Sequence, residues 1–167
     1  MKMLKLVVII VAMTLSASGF SQDKGAGKGA AADKGTKNME ILRDKLKADK
    51  KLIIATNMKL TDAEGKAFWP IYDAYQKDIG AINDRMVKVV MDYADAYNKG
   101  PVSNEAAKKL LNDALSIEEA EVKLKRAYVP KLEKAVPDVK VALYMQIENK
   151  IRALLRFELA ANIPLVE

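Results

Sequence analysis

From Ile71 to Ala96, apolar side chains return every three or four positions without a stop signal: Ile71, Tyr75, Ile79, Ile82, Met86, Val89, Tyr93 and Ala96. An α-helix turns once in 3.6 residues, so this spacing lays them on one stripe, whereas a strand would scatter them over two faces. A stripe held over about 25 residues predicts one long amphipathic helix with a narrow seam, and such a seam needs other helices to cover it. The helix start is also legible. Thr61 and Glu64 have the spacing of a capping box, in which the hydroxyl accepts from the N–H of Glu64 and the carboxylate accepts from the N–H of Thr61. Asp62 adds negative charge at the positive end of the helix dipole. Pro70 deletes an i→i−4 bond and predicts a bend, and Asn98-Lys99-Gly100-Pro101 predicts the end.

The same period predicts three further helices. Helix 1 runs from about Asn38 to Met58, with Met39, Leu42, Leu46, Ile53 and Asn57 on its stripe and Ile54 and Met58 beside it. Lys50 interrupts that stripe and is expected to run its aliphatic stem along the surface. Lys45, Lys47, Lys50, Lys51 and Lys59 make the helix strongly basic. Helix 3 begins at a Ser103 or Asn104 cap and carries Leu110, Leu111, Ala114, Leu115, Ile117, Val122, Leu124 and Tyr128, with Pro130 bending or ending it. Helix 4 runs from about Asp138 to Ala161 on Val139, Leu143, Ile147, Ile151, Leu154, Leu155 and Leu159, with Pro137 suited to its first turn. No stretch sustains a period of two. The expectation is an all-α chain of four to five helices, joined by short connections into long antiparallel hairpins.

Before this domain come two segments of other kinds. Residues 1–21 combine Lys2 and Lys5 with the apolar run Leu6–Leu15 and the small residues Ser16 to Ser21, the pattern of a cleaved signal peptide. Cleavage fits after Gly19 or, preferred, Ser21. The competing reading is an N-terminal membrane anchor. Residues 22–37 hold four glycines and no large apolar side chain, which predicts a flexible linker. The helical domain is then 38–167. Export places the mature protein in a periplasm. Without cysteine there is neither a disulfide nor a lipoprotein attachment site. The net charge of +6 falls to +4 once Lys2 and Lys5 are removed, a mild basic excess that favours acidic or anionic partners but is weak evidence for nucleic acid, which an exported protein rarely meets.

The composition also removes whole classes of chemistry. The chain has no His and no Cys, so Ser-His-Asp, Cys-His and tetrahedral zinc arrangements cannot be built. No catalytic residues, metal or cofactor are expected. Glu118, Glu119, Glu121, Glu148 and Glu158 are expected in surface pairs such as Glu119–Lys123 and Glu121–Lys125, with Glu121 closest to the apolar stripe and partly buried. Met39, Met58, Met86, Met91 and Met145 are scattered and read as core filler. Phe68, Trp69, Tyr72 and Tyr75 lie within two turns, and they either pack the Pro70 bend or present a patch to a partner.

An exported helical chain with Leu60-Thr61-x-x-Glu64 opening a helix resembles the periplasmic Spy/CpxP group and its zinc-resistance-associated relatives, whose mark is Leu-Thr-x-x-Gln. Glu64 stands in the Gln position and keeps the capping geometry. A second copy falls at Val136-Pro137-Asp138-Val139-Lys140, with Pro and Lys in the Thr and Gln positions. The runs Phe68-Trp69-Pro70-Ile71-Tyr72, Lys125 to Pro130 and Gln146-Ile147-Glu148-Asn149-Lys150 look like a branch of exported helical proteins near that group. The resemblance implies a curved, cradle-like homodimer whose concave face is basic with apolar patches. It also implies binding of unfolded or envelope proteins without ATP, or damping of a sensor kinase. The zinc-binding relatives use His-type ligands, so metal binding does not carry over to a chain without His. The expected function is therefore a periplasmic ATP-independent chaperone or envelope-stress accessory protein, with a single-partner regulatory or scaffold module as the alternative. Peripheral membrane contact through basic helix 1 is a further expectation. The partner-binding residues expected are Lys47, Lys51, Met58, Phe68, Trp69, Tyr72, Arg85 and Lys88.

Overall fold

The computed structural model describes residues 48–166, and every regular element among them is an α-helix. These are α1 (residues 48–58), α2 (Asp62–Asn98), α3 (Asn104–Glu133) and α4 (Asp138–Asn162). The all-α expectation holds. The signal-peptide and linker readings, the first part of helix 1 and Lys47 fall outside the described residues.

α2 starts as its sequence dictates. The Thr61 hydroxyl accepts from the N–H of Glu64 at 3.3 Å, and the Glu64 carboxylate accepts from the N–H of Thr61 at 2.8 Å. The helix then runs unbroken for 37 residues, through Pro70. α3 likewise continues past Pro130 to Glu133, so Pro130 does not end it. Tyr128 and Leu132, on either side of that proline, are both buried. Their packing outweighs the one backbone bond that the proline removes. Pro137 is the N-cap of α4 rather than part of its first turn, and its carbonyl accepts from the N–H groups of Lys140 and Val141.

α1 presents a different face from the one expected. Ile54 and Met58 are buried, while Ile53 and Asn57 point to solvent. The buried positions 54 and 58 are one turn apart, and one turn earlier on the same face is Lys50. The helix ends on Lys59, a non-glycine residue at φ 44, whose N–H reaches the carbonyl of Ala55 at 3.4 Å. This is a left-handed C-terminal cap made without glycine. The Lys140 ammonium donates to the Lys59 carbonyl at 3.1 Å and to Glu64 at 2.6 Å, tying the α1–α2 connection to the start of α4.

Pairings across the helices fix their order. Asp92 meets Lys109, Arg85 meets Ser116 and Asp78 meets Tyr128, so the start of α3 lies beside the end of α2. Glu64 meets Lys140, Gln76 meets Glu148 and Asn83 meets Arg152, so α4 tracks α2 in the same order. All four helices contribute to one core that includes Ile54, Phe68, Tyr75, Ile117, Leu132 and Tyr144. Each fully buried aliphatic or Met side chain contributes about 1.5–3 kcal/mol, and Ile54 and Met58 supply that for α1.

Candidate partner-binding surface

The aromatic residues of α2 form the centre of this core. Phe68 is 0% exposed and meets Tyr144 edge-to-face, with ring centroids 5.2 Å apart and planes at 89°. It meets Trp69 at 5.2 Å and stacks beside Tyr72 at 6.2 Å. Tyr75 continues the cluster to Tyr128 at 5.3 Å and Tyr144 at 6.0 Å. Such ring pairs add about 0.5–1.5 kcal/mol each beyond their burial. Burial also pushes the phenols of Tyr72, Tyr75 and Tyr144 well above the ordinary tyrosine range, with the nearby Glu148 charge acting in the same direction. Tyr128 rises to about 12, through burial and through donating its proton to Asp78 at 2.6 Å.

Two carboxylates lie inside the bundle. Glu148, expected in a surface pair, is instead 0% exposed. Its Oε2 accepts from the Lys50 ammonium at 2.8 Å and its Oε1 from the Gln76 amide at 2.8 Å. Lys50 donates also to the Gln76 carbonyl oxygen at 2.8 Å, and the Gln76 amide reaches the Tyr144 hydroxyl at 3.3 Å. Thus Lys50 does not lie along the surface, since its ammonium is spent on this buried acid. A carboxylate removed from water needs such partners, because its desolvation otherwise costs several kcal/mol. The signal for Lys50 lay in its spacing from Ile54 and Met58. Glu148 stood one turn after Tyr144 and one residue after Ile147, on the face of α4 that the structure buries rather than on the predicted stripe.

Glu121 is the second; its sequence position predicts partial burial and a cation partner, and the structure buries it and pairs it with cations. It accepts from Lys125 at 2.6 Å, from Arg156 at 2.9 Å and from Arg152, which also donates to Asn83. Burial alone would raise its pKa, but the hydrogen bonds from Lys125 and Arg152 prevail and hold it below the usual carboxylate value. Three cations therefore serve one carboxylate where α3 and α4 meet.

The expected partner-binding residues divide between these environments. Met58, Phe68 and Tyr72 are buried core residues. Trp69 is half-buried at the α1–α2 seam, and the Lys51 ammonium stands 5.0 Å from its ring centre and 5.6 Å from that of Tyr72. Lys51 also pairs with Asp73 at 3.2 Å. Arg85 and Lys88 are exposed but occupied: Arg85 donates to Ser116 at 2.9 Å and Lys88 to Asp92 at 2.9 Å. An open groove of about 650 Å³ runs between the end of α1 and the start of α2, with Ala55, Leu60, Lys66 and Trp69 in its walls.

Exposed apolar side chains occur on α1 and α2, at Leu52, Ile53 and Met91, and also on α3 and α4, which the partner-binding set did not include. On α4, Leu154 and Phe157 are each 69% exposed and share a face with Lys150. On α3, Leu111, Leu115 and Val122 are exposed along a second stripe, away from the buried Ile117 and Glu121. Leu165 and Val166 follow α4, and Tyr93 donates to the carbonyl of Pro164 just before them. Leu154 belonged to the predicted core stripe of helix 4, so the sequence identified its apolar character but assigned it to the wrong side. Among the described residues, no helix is long and apolar enough to cross a membrane, and no three acidic groups are gathered to hold a metal ion. No family model, curated protein or solved structure matches this chain.

Proposed function

We propose that the protein is a periplasmic, ATP-independent chaperone or envelope-stress accessory protein, which holds unfolded or partner proteins on a basic and apolar helical surface. The observation that carries this reading is the face of α4 where Lys150, Leu154 and Phe157 stand exposed together. An apolar side chain beside an ammonium suits unfolded polypeptide. The charge speeds encounter with an acidic client, and the exposed Leu and Phe supply contacts that a folded client has already used internally. The periplasmic setting rests on the signal-peptide pattern of residues 1–21. A curved, cradle-like homodimer of antiparallel hairpins fits the resemblance to the Spy/CpxP group. The proposal includes no catalysis and no cofactor.

The test is suppression of aggregation of reduced insulin B chain at equimolar mature protein. Suppression should be strong at low salt and weaker as salt screens the encounter. Failure to suppress at low salt, together with capture of one stoichiometric partner from an envelope fraction, would replace this reading with that of a single-partner regulator.

A further inference from the structure

Among the described residues, α1 is the shortest of the four helices and has the fewest buried side chains. Between residues 48 and 58, only Ile54 and Met58 are buried. Its side-chain fastenings sit near one end, where Lys50 grips Glu148 and Gln76, and Lys51 holds Asp73 and covers Trp69 and Tyr72, while at the other end Lys140 holds the Lys59 carbonyl, at the hinge itself. Its other end is Lys59, a non-glycine residue in the left-handed region, followed by the short connection through Leu60 and Thr61. A short helix fixed by one buried ion pair, one exposed ion pair and two buried apolar side chains, and joined through a left-handed residue, has the composition of a unit that opens before the rest of its bundle. The core it shares is rich in aromatic surface: Phe68, Tyr72 and Tyr144 touch one another there.

We propose that α1 is a displaceable strap, hinged at Lys59 and latched by Lys50 on Glu148, which competes with bound polypeptide for the aromatic face of Phe68, Tyr72 and Tyr144. The inference rests on the holding function proposed above and gives it a second, covered surface. The strap itself describes its competitor. Lys50, Ile54 and Met58 recur at four-residue spacing. The polypeptide that replaces them is an amphipathic helical segment with two aliphatic side chains one turn apart and a base one turn before them. Its base takes over Glu148, so no buried carboxylate is left unpaired during the exchange.

Two measurements on the full mature chain test this. The first is amide hydrogen exchange. Amides of 48–58 should exchange by local opening, while those at the centres of α2 and α4 exchange only with global unfolding. Lys50→Met with Glu148→Gln should raise the opening of 48–58 by about tenfold, the effect of losing one charge-assisted hydrogen bond. Exchange of 48–58 in step with the α2 core, in both proteins, overturns the strap. The second measurement uses the absence of cysteine from the chain. Lys51→Cys and Asp73→Cys, both on exposed side chains, are joined by a short bis-maleimide that pins α1 to α2. The linked form should lose aggregation suppression relative to the unlinked form of the same variant, and equal suppression overturns the competition. If wild-type protein suppresses nothing, the holding function fails alone, and hydrogen exchange still decides whether α1 opens.

Discussion

The Lys50 ammonium and the Glu148 carboxylate stand 2.8 Å apart although 98 residues separate them in the chain, and the acid has no exposure to solvent. The pair links α1 to α4, and Gln76 of α2 donates to one partner and accepts from the other. Removing one side of a buried pair leaves the other charge stranded, which is more costly than removing both. Lys50→Met should therefore destabilise the protein by about 3 kcal/mol. Adding Glu148→Gln should restore part of that loss, with a coupling of about 1–3 kcal/mol between the two sites in a double-mutant cycle. Urea unfolding of the four proteins measures this. Strictly additive losses would show that the pair contributes nothing.

Glu121 gives the fold a dependence on acid. Its folded pKa lies below the ordinary 4.5 because Lys125 and Arg152 outweigh the effect of burial. A depressed carboxyl stabilises the folded state above its unfolded pKa, and that contribution fades as pH falls from 4.5 through the folded value. Stability should fall as pH drops through this acid window, and above it the contribution of Glu121 should be at its full size and independent of pH. In Glu121→Gln the profile should be flatter over the same window. An unchanged slope, measured by chemical denaturation at stepped pH, would show that the acid sensitivity comes from other carboxylates.

Lys59 adopts φ 44, and its N–H is bonded to Ala55. Glycine accepts that backbone angle without strain but adds freedom to the unfolded chain, so Lys59→Gly should remain within about 1 kcal/mol of wild type. Proline can satisfy neither requirement, and Lys59→Pro should cost about 3 kcal/mol or more. Equal thermal midpoints for these two variants would contradict the left-handed cap.

Phe68 is enclosed by Trp69, Tyr72 and Tyr144. Phe68→Ala should destabilise the fold by about 3–5 kcal/mol through lost burial and the cavity left behind. The urea midpoint should drop at unchanged slope. A loss under about 1 kcal/mol would show that the side chain is not enclosed.

The helices were readable because each signal was local. Thr61 with Glu64, and Ser103, needed only neighbours in sequence, and both caps act in the structure as that chemistry requires, while the apolar period marked where the helices lie. The partners of buried polar groups were not local. Nothing near Lys50 points to an acid on α4, and the sequence alone places Glu148 among the surface charges of its helix. Pro130 shows a different limit. Its effect on the backbone is known in advance, but the packing of Tyr128 and Leu132 that carries the helix across it is a tertiary quantity. The exposed side of α4 was hidden for a related reason. An apolar period predicts a stripe, but only the neighbouring helices decide which of Leu154, Leu155 and Phe157 they cover.

Trp69, the only tryptophan in the chain, is half-buried at the α1–α2 seam with the Lys51 ammonium 5.0 Å from its ring. The protein thus carries a single optical probe at the boundary between its shortest described helix and the rest. Excited at the red edge, where the six tyrosines do not absorb, its emission reports that boundary alone. A shift to longer wavelength while the far-ultraviolet dichroism still reads fully helical would time the parting of the seam separately from the melting of the bundle.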